Sequence, residues 1–148
     1  MNFPSLHRFI LVVDDNREAA DLMVELLTLC GHHALPAYSG MEGVAIAMRS
    51  KPEIILLDLT MPVMDGFMVA RKLRELDMFR ETVLVAFTSL SDENTARRIA
   101  AGGFDFHLPK PASIGRVMDI ISKARGHIDA ARGMGRIEAE VVAMQAQC

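Results

Sequence analysis

Short apolar runs alternate along this chain with longer amphipathic segments, and this alternation restricts the fold more than any other feature of the sequence. Three of the runs consist almost entirely of Ile, Leu, Val and Phe, which is typical of strands covered on both faces in a parallel sheet. The other two runs are more polar and predict edge strands. The predicted strands are residues 9–13, 33–37, 54–57, 82–87 and 106–108.

A segment with helical periodicity follows each run, and Ser39 and Ser113 are suitable N-caps for two of these helices. Five strand–helix repeats predict an α/β fold, a doubly wound parallel sheet with right-handed crossovers and helices on both faces. The commonest order for five such strands is 2-1-3-4-5, the flavodoxin-like arrangement. Pro109 fits this order, because proline is tolerated on an edge strand. The predicted helices cover 17–30, 39–49, 66–76, 91–101 and a segment after Ser113.

The composition indicates one globular domain in the cytoplasm. The chain has 148 residues, of which 51% are hydrophobic, and a net charge of −3. It therefore lacks the basic excess of a nucleic-acid binder, and we expect no direct DNA binding. No apolar run approaches the roughly 18 residues of a membrane span, so we expect no membrane association. Two cysteines, Cys30 and Cys148, do not make a disulfide framework, and we expect both to be reduced.

Charged and hydroxyl side chains follow the predicted strands at the ends where open parallel sheets form their sites. Asp14 and Asp15 follow the first strand, and Asp58 follows the third. These strands are neighbours in the predicted order, so their carboxylates should converge, with a repulsion of roughly 4 kcal/mol per pair at about 4 Å. A hard divalent cation such as Mg²⁺ would offset this repulsion. Thr88 supplies a hydroxyl after the fourth strand, and Lys110 supplies a cation after the fifth.

No other catalytic pattern accompanies these residues in the sequence. It contains neither a GxxxxGK[ST] loop for nucleoside triphosphates nor a GxSxG elbow for a serine nucleophile. The histidines are scattered, without the HExxH or paired-cysteine spacing that indicates zinc. Carboxylates, a divalent cation, a lysine and a hydroxyl suit phosphoryl transfer to a carboxylate, in which positioning and charge neutralisation perform most of the catalysis.

Four motifs carry a resemblance to a known family. They are LVVDDN at 11–16, ILLDLTMPVMDG at 55–66, AFTS at 86–89 and HLPKP at 107–111. With these motifs the chain resembles the receiver domain of two-component response regulators, in the single-domain form known from chemotaxis receivers. The resemblance extends over about residues 8–126, which is most of the chain.

The resemblance implies a role for each matching residue of the acidic site. Asp58 matches the phosphoacceptor, and Lys110 matches the lysine that pairs with the phosphoryl group. Asp15 matches a direct ligand of Mg²⁺, and Asp14 matches the residue that holds the ion through water. Mn²⁺ can take the place of Mg²⁺ in such a site. Asp58 itself and the backbone carbonyl of Thr60 complete the implied metal ligands.

The resemblance also implies a conformational switch. Thr88 matches the hydroxyl that turns inward to a phosphoryl oxygen, and His107 stands at the switch position where the family commonly has Tyr or Phe. The Lys110–Pro111 bond matches a position that is often cis. Leu90 is apolar and lies two residues after Thr88, where it could shield the phosphoryl group from water, so we expect slow loss of phosphate.

The implied function is a phosphorylation-dependent switch in a two-component phosphorelay. A sensor histidine kinase or a histidine phosphotransfer protein would supply the phosphoryl group to Asp58. The chain would catalyse its own phosphorylation and dephosphorylation, as a phosphoacceptor and not as an enzyme with a separate substrate. The face formed by the fourth helix, fifth strand and fifth helix would then change, and a downstream protein would bind the changed face.

Three other functions are compatible with parts of this pattern. The alternative is a pseudo-receiver that binds partners without phosphate chemistry, which the complete set of acidic, hydroxyl and lysine residues disfavours. A haloacid-dehalogenase-like phosphatase usually has a second Asp two residues after its nucleophile, where this chain has Thr60. A flavodoxin-like flavin binder would share the fold, but its hydroxyl-rich loop after the first strand is absent from the sequence.

The C-terminal residues, 127–148, are predicted to form a helical extension or tail after a receiver domain at 8–126. Apolar residues recur there at heptad-like spacing, although Gly133 and Gly135 each weaken a helix by roughly 1 kcal/mol. The segment either packs on its own domain or pairs with a second chain as a dimer. The apolar positions are Ala130, Met134, Ile137, Val141, Met144 and Cys148.

Overall fold

Five parallel strands form one sheet in the computed structural model, which describes residues 9–131. The order of the strands is β2-β1-β3-β4-β5. The predicted order and the flavodoxin-like fold class are therefore confirmed. The strands are β1 Phe9–Val13, β2 His33–Ala37, β3 Ile54–Asp58, β4 Val83–Thr88 and β5 Phe106–Pro109.

The two edge strands, β2 and β5, each contain a proline. Pro36 pairs with Val12 in the register of β1 and β2, and Pro109 pairs with Thr88 in the register of β4 and β5. A central strand forms backbone hydrogen bonds with a neighbour on each side, whereas an edge strand does so on one side only. Proline has no N–H to donate, so these positions agree with an edge location. The central strands β1, β3 and β4 contain no proline.

The helices begin at the edge of the sheet where the strands end, and polar caps fix all five of these starts. The side chains of Asn16, Ser39, Asp65, Asp92 and Ser113 each accept a hydrogen bond from the backbone N–H three residues later. Such caps satisfy donors that a helix N-terminus leaves unpaired. The helices are α1 Arg17–Leu29, α2 Gly40–Ser50, α3 Gly66–Arg74, α4 Glu93–Ala101 and α5 Ile114–Ala131, and Asp77–Phe79 forms a single 3₁₀ turn.

Alternating residues of the strands supply two hydrophobic cores. In β3, Ile54 and Leu56 pack with α1 and α5, whereas Ile55 and Leu57 pack with α2 and α3. A strand in this position needs apolar side chains on both faces, which explains the uninterrupted apolar run in the sequence. Because helices pack on both faces of the sheet, the strand ends and the polar residues that follow them are held in fixed positions.

Two helix ends differ from the predicted ones by two residues, and the ends of α1 and α2 differ by one. The helix expected over 66–76 ends at Arg74, whose guanidinium donates hydrogen bonds to the carbonyl oxygens of Phe79 and Gly103 at 2.7 and 2.9 Å. The same group donates to Asp105 at 2.8 Å. These contacts hold the chain in a turn directly after α3. The helix expected from residue 91 begins at Glu93, because Asp92 is the capping residue.

The cysteine expectation is wrong at Cys30, which is disulfide-bonded in the structure. Composition shows how many cysteines a chain has, but it does not show whether a given thiol is oxidised. Cys148 lies outside the described residues.

The fifth helix runs through the predicted domain boundary at residue 126 and continues to Ala131. The boundary and the pairing of the extension stay predictions. Of the heptad-like positions only Ala130 falls within the described residues. None of the helices over 9–131 is long and apolar enough to cross a membrane.

Candidate functional site

Three carboxylates meet where β1 and β3 end. Asp14 and Asp15 follow β1, and Asp58 is the last residue of β3. The two strands are hydrogen-bonded neighbours, with Val13 opposite Leu57. One carboxylate oxygen from each acid lies within 4.8 Å of the others. The fold therefore brings together the three acidic residues that the sequence placed at one edge of the sheet.

Burial and hydrogen bonds fix two of these acids. Asp14 is 3% exposed, and its Oδ1 accepts a hydrogen bond from the Asn16 N–H at 2.9 Å. Asp58 is 7% exposed, and its Oδ1 accepts from the Thr60 N–H at 3.2 Å. Asp15 is exposed. The cluster thus has two buried acids with fixed orientations and one acid that faces solvent.

Lys110 is the cation of the site. Its Nζ lies 2.7 Å from Asp14 Oδ2 and 3.8 Å from Asp58 Oδ1. The ammonium group also lies 4.9 Å from the centroid of the Phe87 ring, an arrangement that a cation–π interaction favours. The Lys110 N–H donates to the Thr88 carbonyl oxygen at 2.9 Å, and the Lys110–Pro111 bond is cis. These contacts direct the lysine from β5 into the acidic cluster.

The electrostatics of Asp58 reflect its crowded surroundings. The pKa of Asp58 is raised from 3.8 to about 6, chiefly by burial and to a smaller extent by the negative charges of Asp14 and Asp15. Lys110 and the hydrogen bond from Thr60 act in the opposite direction and lower the pKa. At neutral pH the carboxylate is mostly ionised, but one lysine does not compensate the three acids.

The excess of negative charge at this site favours the binding of a divalent cation. Hard cations such as Mg²⁺ prefer carboxylate oxygens, and three of these lie close enough together here to share one ion. Asp14, Asp15 and Asp58 are the residues that could hold it. Thr60 lies in the loop directly after β3, where its N–H contacts Asp58. A role for its carbonyl as a ligand stays a prediction.

The two predicted switch residues lie on neighbouring strands. Thr88 ends β4 and is buried, and its Oγ1 accepts a hydrogen bond from the Leu90 N–H at 3.1 Å. His107 lies in β5 opposite Ala86 and is exposed. The hydroxyl is therefore held by its own loop, and the imidazole faces solvent. The structure does not bring His107 to the acidic cluster.

Sequence reasoning did not find two contributors to the site, Asn16 and Phe87. The Asn16 N–H donates to Asp14, and its side chain caps α1. Phe87 lies opposite Asp58 in the register of β3 and β4 and supports Lys110 with its ring. Phe87 could have been identified from the predicted strand order, because that order makes β3 and β4 neighbours and the ends of neighbouring parallel strands lie side by side.

Comparison with known proteins agrees with this geometry. Residues 10–122 match the response regulator receiver domain family. The polar-differentiation response regulators DivK of Brucella anthropi and Brucella ovis are each 26% identical to this chain over 117 residues, which are 79% of this chain and 95% of the relative. The chain therefore belongs to the response regulator receiver domain family and is a component of two-component signal transduction.

Solved structures show the same fold. The chemotaxis protein CheY4 of Vibrio cholerae superimposes with a TM-score of 0.76 at 23% identity, over 80% of this chain and 98% of that chain. The receiver domain of the sensor histidine kinase PA1611 from Pseudomonas aeruginosa gives a TM-score of 0.73 at 24% identity, over 79% and 96%. That structure contains a magnesium ion coordinated in its active-site cleft.

Proposed function

We propose that this protein is a phosphorylation switch in which Asp58 receives a phosphoryl group in a Mg²⁺-dependent reaction. The donor is a phosphohistidine on a sensor histidine kinase or on a histidine phosphotransfer protein. One observation carries the proposal: Asp58 is a buried carboxylate that lies within 4.8 Å of two further acids and 3.8 Å from a lysine. This combination serves a reaction at Asp58 in which negative charge must be neutralised.

The two oxygens of Asp58 have different surroundings. Oδ1 accepts from Thr60 and faces Lys110, whereas Oδ2 has no hydrogen-bond partner among the described residues. In the proposed reaction Oδ2 attacks phosphorus, a P–O bond forms, and the P–N bond to the donor imidazole breaks. The imidazole leaves with the electron pair of that bond. Asp58 does not have to lose a proton before this attack, because its carboxylate is mostly ionised at neutral pH.

Charge neutralisation is the main catalytic requirement of this reaction. Bound Mg²⁺ would supply a Lewis acid for the phosphoryl oxygens, held by Asp15 and Asp58 directly, by Asp14 through water and by the carbonyl of Thr60, and Mn²⁺ would serve the same purpose. Lys110 leaves the short contact with Asp14 and binds a phosphoryl oxygen. Water attack on phosphorus reverses the modification, so the protein also catalyses its own dephosphorylation.

The signal would pass to a partner through the switch residues. The Thr88 hydroxyl exchanges its contact with the Leu90 N–H for a phosphoryl oxygen, and His107 turns from solvent into the space that Thr88 leaves. The surface of α4, β5 and α5 changes with them, and a downstream protein binds the changed surface. A cytoplasmic location, the absence of direct DNA binding and a dimer through the C-terminal extension stay predictions.

Incubation with acetyl phosphate and Mg²⁺, followed by intact-mass measurement, tests the proposal. We expect one added phosphoryl group on the wild type and none on Asp58→Asn. The matched control is Asp77→Asn, which removes an exposed carboxylate of the 3₁₀ turn and should be labelled like the wild type. Equal labelling of Asp58→Asn, or labelling that persists in excess EDTA, would exclude the assigned site or its metal.

A further inference from the structure

The ammonium group of Lys110 has partners on three neighbouring strands. Its Nζ lies 2.7 Å from Oδ2 of Asp14, which follows β1, and 3.8 Å from Oδ1 of Asp58, which ends β3. It also lies 4.9 Å from the ring centroid of Phe87 in β4. The strands lie in the order β1-β3-β4-β5, with neighbours about 4.8 Å apart. Lys110 follows β5, so its side chain extends past the ends of β4 and β3 to reach Asp14.

Phe87 lies on the face of the sheet that α1 and α5 cover. Its ring packs against the core that contains Val85, whereas Ala86 belongs to a cluster on the opposite face. Because side chains alternate along a strand, Thr88 points away from the side on which Phe87 lies. The ring therefore contacts Lys110 without occupying space that the Thr88 hydroxyl needs.

The ring and the lysine line one groove beside α1. Leu22 and Met23 of α1 and Ala112 also line this groove, and none of the described residues that line it is acidic. The Lys110 side chain is only 23% exposed, so water solvates its charge incompletely. The face of an aromatic ring carries the negative part of its quadrupole. On this side of Lys110, the Phe87 ring is therefore the electrostatic partner of the ammonium group.

The strand order determines how this contact changes during phosphoryl transfer to Asp58. Lys110 must leave its short contact with Asp14 and bind a phosphoryl oxygen at Asp58, so its Nζ moves from the end of β1 towards the end of β3. Phe87 lies opposite Asp58 in the register of β3 and β4. The ammonium group thus loses Asp14 as a partner but stays beside the ring. An interaction that gains in strength between the resting state and the transition state accelerates a reaction.

We propose that Phe87 is a positioning residue for phosphoryl transfer, whose ring face holds the Lys110 ammonium where it contacts the phosphoryl oxygen. This inference rests on the proposed function, because that oxygen belongs to the group transferred to Asp58. Phe87 acts through Lys110 and touches neither phosphorus nor the metal ion. An apolar side chain of similar size would fill the same part of the core but would not hold the ammonium.

Ring electronics separate this role from packing. Fluorine withdraws electron density from the ring face and nearly preserves the shape of the side chain. We therefore place 4-fluoro-, 3,5-difluoro- and 3,4,5-trifluorophenylalanine at position 87 and measure labelling by acetyl phosphate in saturating Mg²⁺. The rate should fall with each added fluorine, to about a third of the wild-type rate or less with three. Phe87→Leu should be at least as slow, and Phe87→Tyr, which retains a ring face, should keep most of the rate.

Two controls isolate the contact with Lys110. In Lys110→Met the position above the ring carries no charge, so the same fluorinated series should be labelled at one common, slow rate. Phe67 is half-buried like Phe87 and lies 3.9 Å from the guanidinium carbon of Arg98. Fluorination of Phe67 weakens that pair but does not affect Lys110, and it should leave the labelling rate unchanged.

Proton NMR measures the position of the lysine independently of the rate. The Phe87 ring should shift the resonances of the Lys110 Hε protons upfield, because they lie over its face. This upfield shift should persist when acetyl phosphate labels the protein, since the ammonium remains beside the ring. In Phe87→Leu it should be absent in both states.

Three outcomes would overturn the inference: a labelling rate independent of the number of fluorines at position 87, the same dependence in Lys110→Met or in the Phe67 series, or loss of the upfield shift on labelling. Failure of the proposed function gives a different result, because acetyl phosphate would then leave the wild type unlabelled or would label Asp58→Asn equally.

Discussion

Asp58→Asn should stabilise the metal-free protein at neutral pH. In the folded state the pKa of Asp58 is about 6, compared with 3.8 ordinarily, because the carboxylate is buried near two other acids. The neutral form is therefore favoured by folding. Its stabilising contribution is complete below about pH 4 and is lost as the pH rises through about 6.

The size of the effect follows from the shift. The difference between about 6 and 3.8 is about 2 pH units, and each unit corresponds to about 1.36 kcal/mol, so ionised Asp58 lowers the free energy of unfolding by about 3 kcal/mol. Asparagine carries no charge at any pH, and its oxygen can still accept the hydrogen bond from Thr60. The variant should recover most of this free energy above pH 6.

Urea unfolding in EDTA, followed by circular dichroism over the range of about pH 4 to 8, measures the effect. We expect Asp58→Asn to exceed the wild type by about 2–3 kcal/mol at the upper end of this range and to approach it at the lower end. Saturating Mg²⁺ should reduce the difference, since the ion favours the carboxylate. A difference independent of pH, or a variant less stable than the wild type at about pH 8, would refute the electrostatic argument.

Three further predictions concern other contacts of the structure. Arg74→Ala should lower the free energy of unfolding in urea by about 2 kcal/mol, because it removes the donor to the Gly103 carbonyl oxygen and one of two donors each to the Phe79 carbonyl oxygen and to Asp105. Arg80→Ala, which breaks an exposed ion pair, should change it by less than about 1 kcal/mol, and equal effects would contradict this ranking. Lys110→Ala should slow labelling of Asp58 by acetyl phosphate about tenfold or more, and an unchanged time course would remove Lys110 from the mechanism. Leu90→Asn should shorten the lifetime of the phosphorylated protein, measured by loss of label after the donor is removed, and an unchanged lifetime would show that Leu90 does not exclude water.

Local patterns in the sequence predicted much of the fold because the relevant interactions are local or periodic. The bounds of β1 and β2 match the prediction, and Ser39 caps α2 as expected. The convergence of Asp14, Asp15 and Asp58 also followed from the sequence, because strand order alone places the ends of β1 and β3 side by side.

Features that depend on contacts between distant segments could not be predicted from the sequence. The end of α3 is determined by Arg74, which binds groups up to 31 residues away in the chain. Its helical periodicity gave no sign of these partners. The positive φ of Val63, +68°, was also not predictable, because valine is not a residue type that favours this conformation. It occurs in a loop that a hydrogen bond from the Gly66 N–H to the Leu59 carbonyl oxygen closes.

The prolines of the edge strands limit how this protein can associate. An exposed sheet edge with a continuous row of N–H and C=O groups can pair with a strand from another chain. Pro36 interrupts that row in β2, and Pro109 interrupts it in β5. Growth of the sheet into a larger intermolecular sheet is therefore disfavoured at both edges, and a partner protein or a second copy would bind through side-chain contacts instead of an added strand.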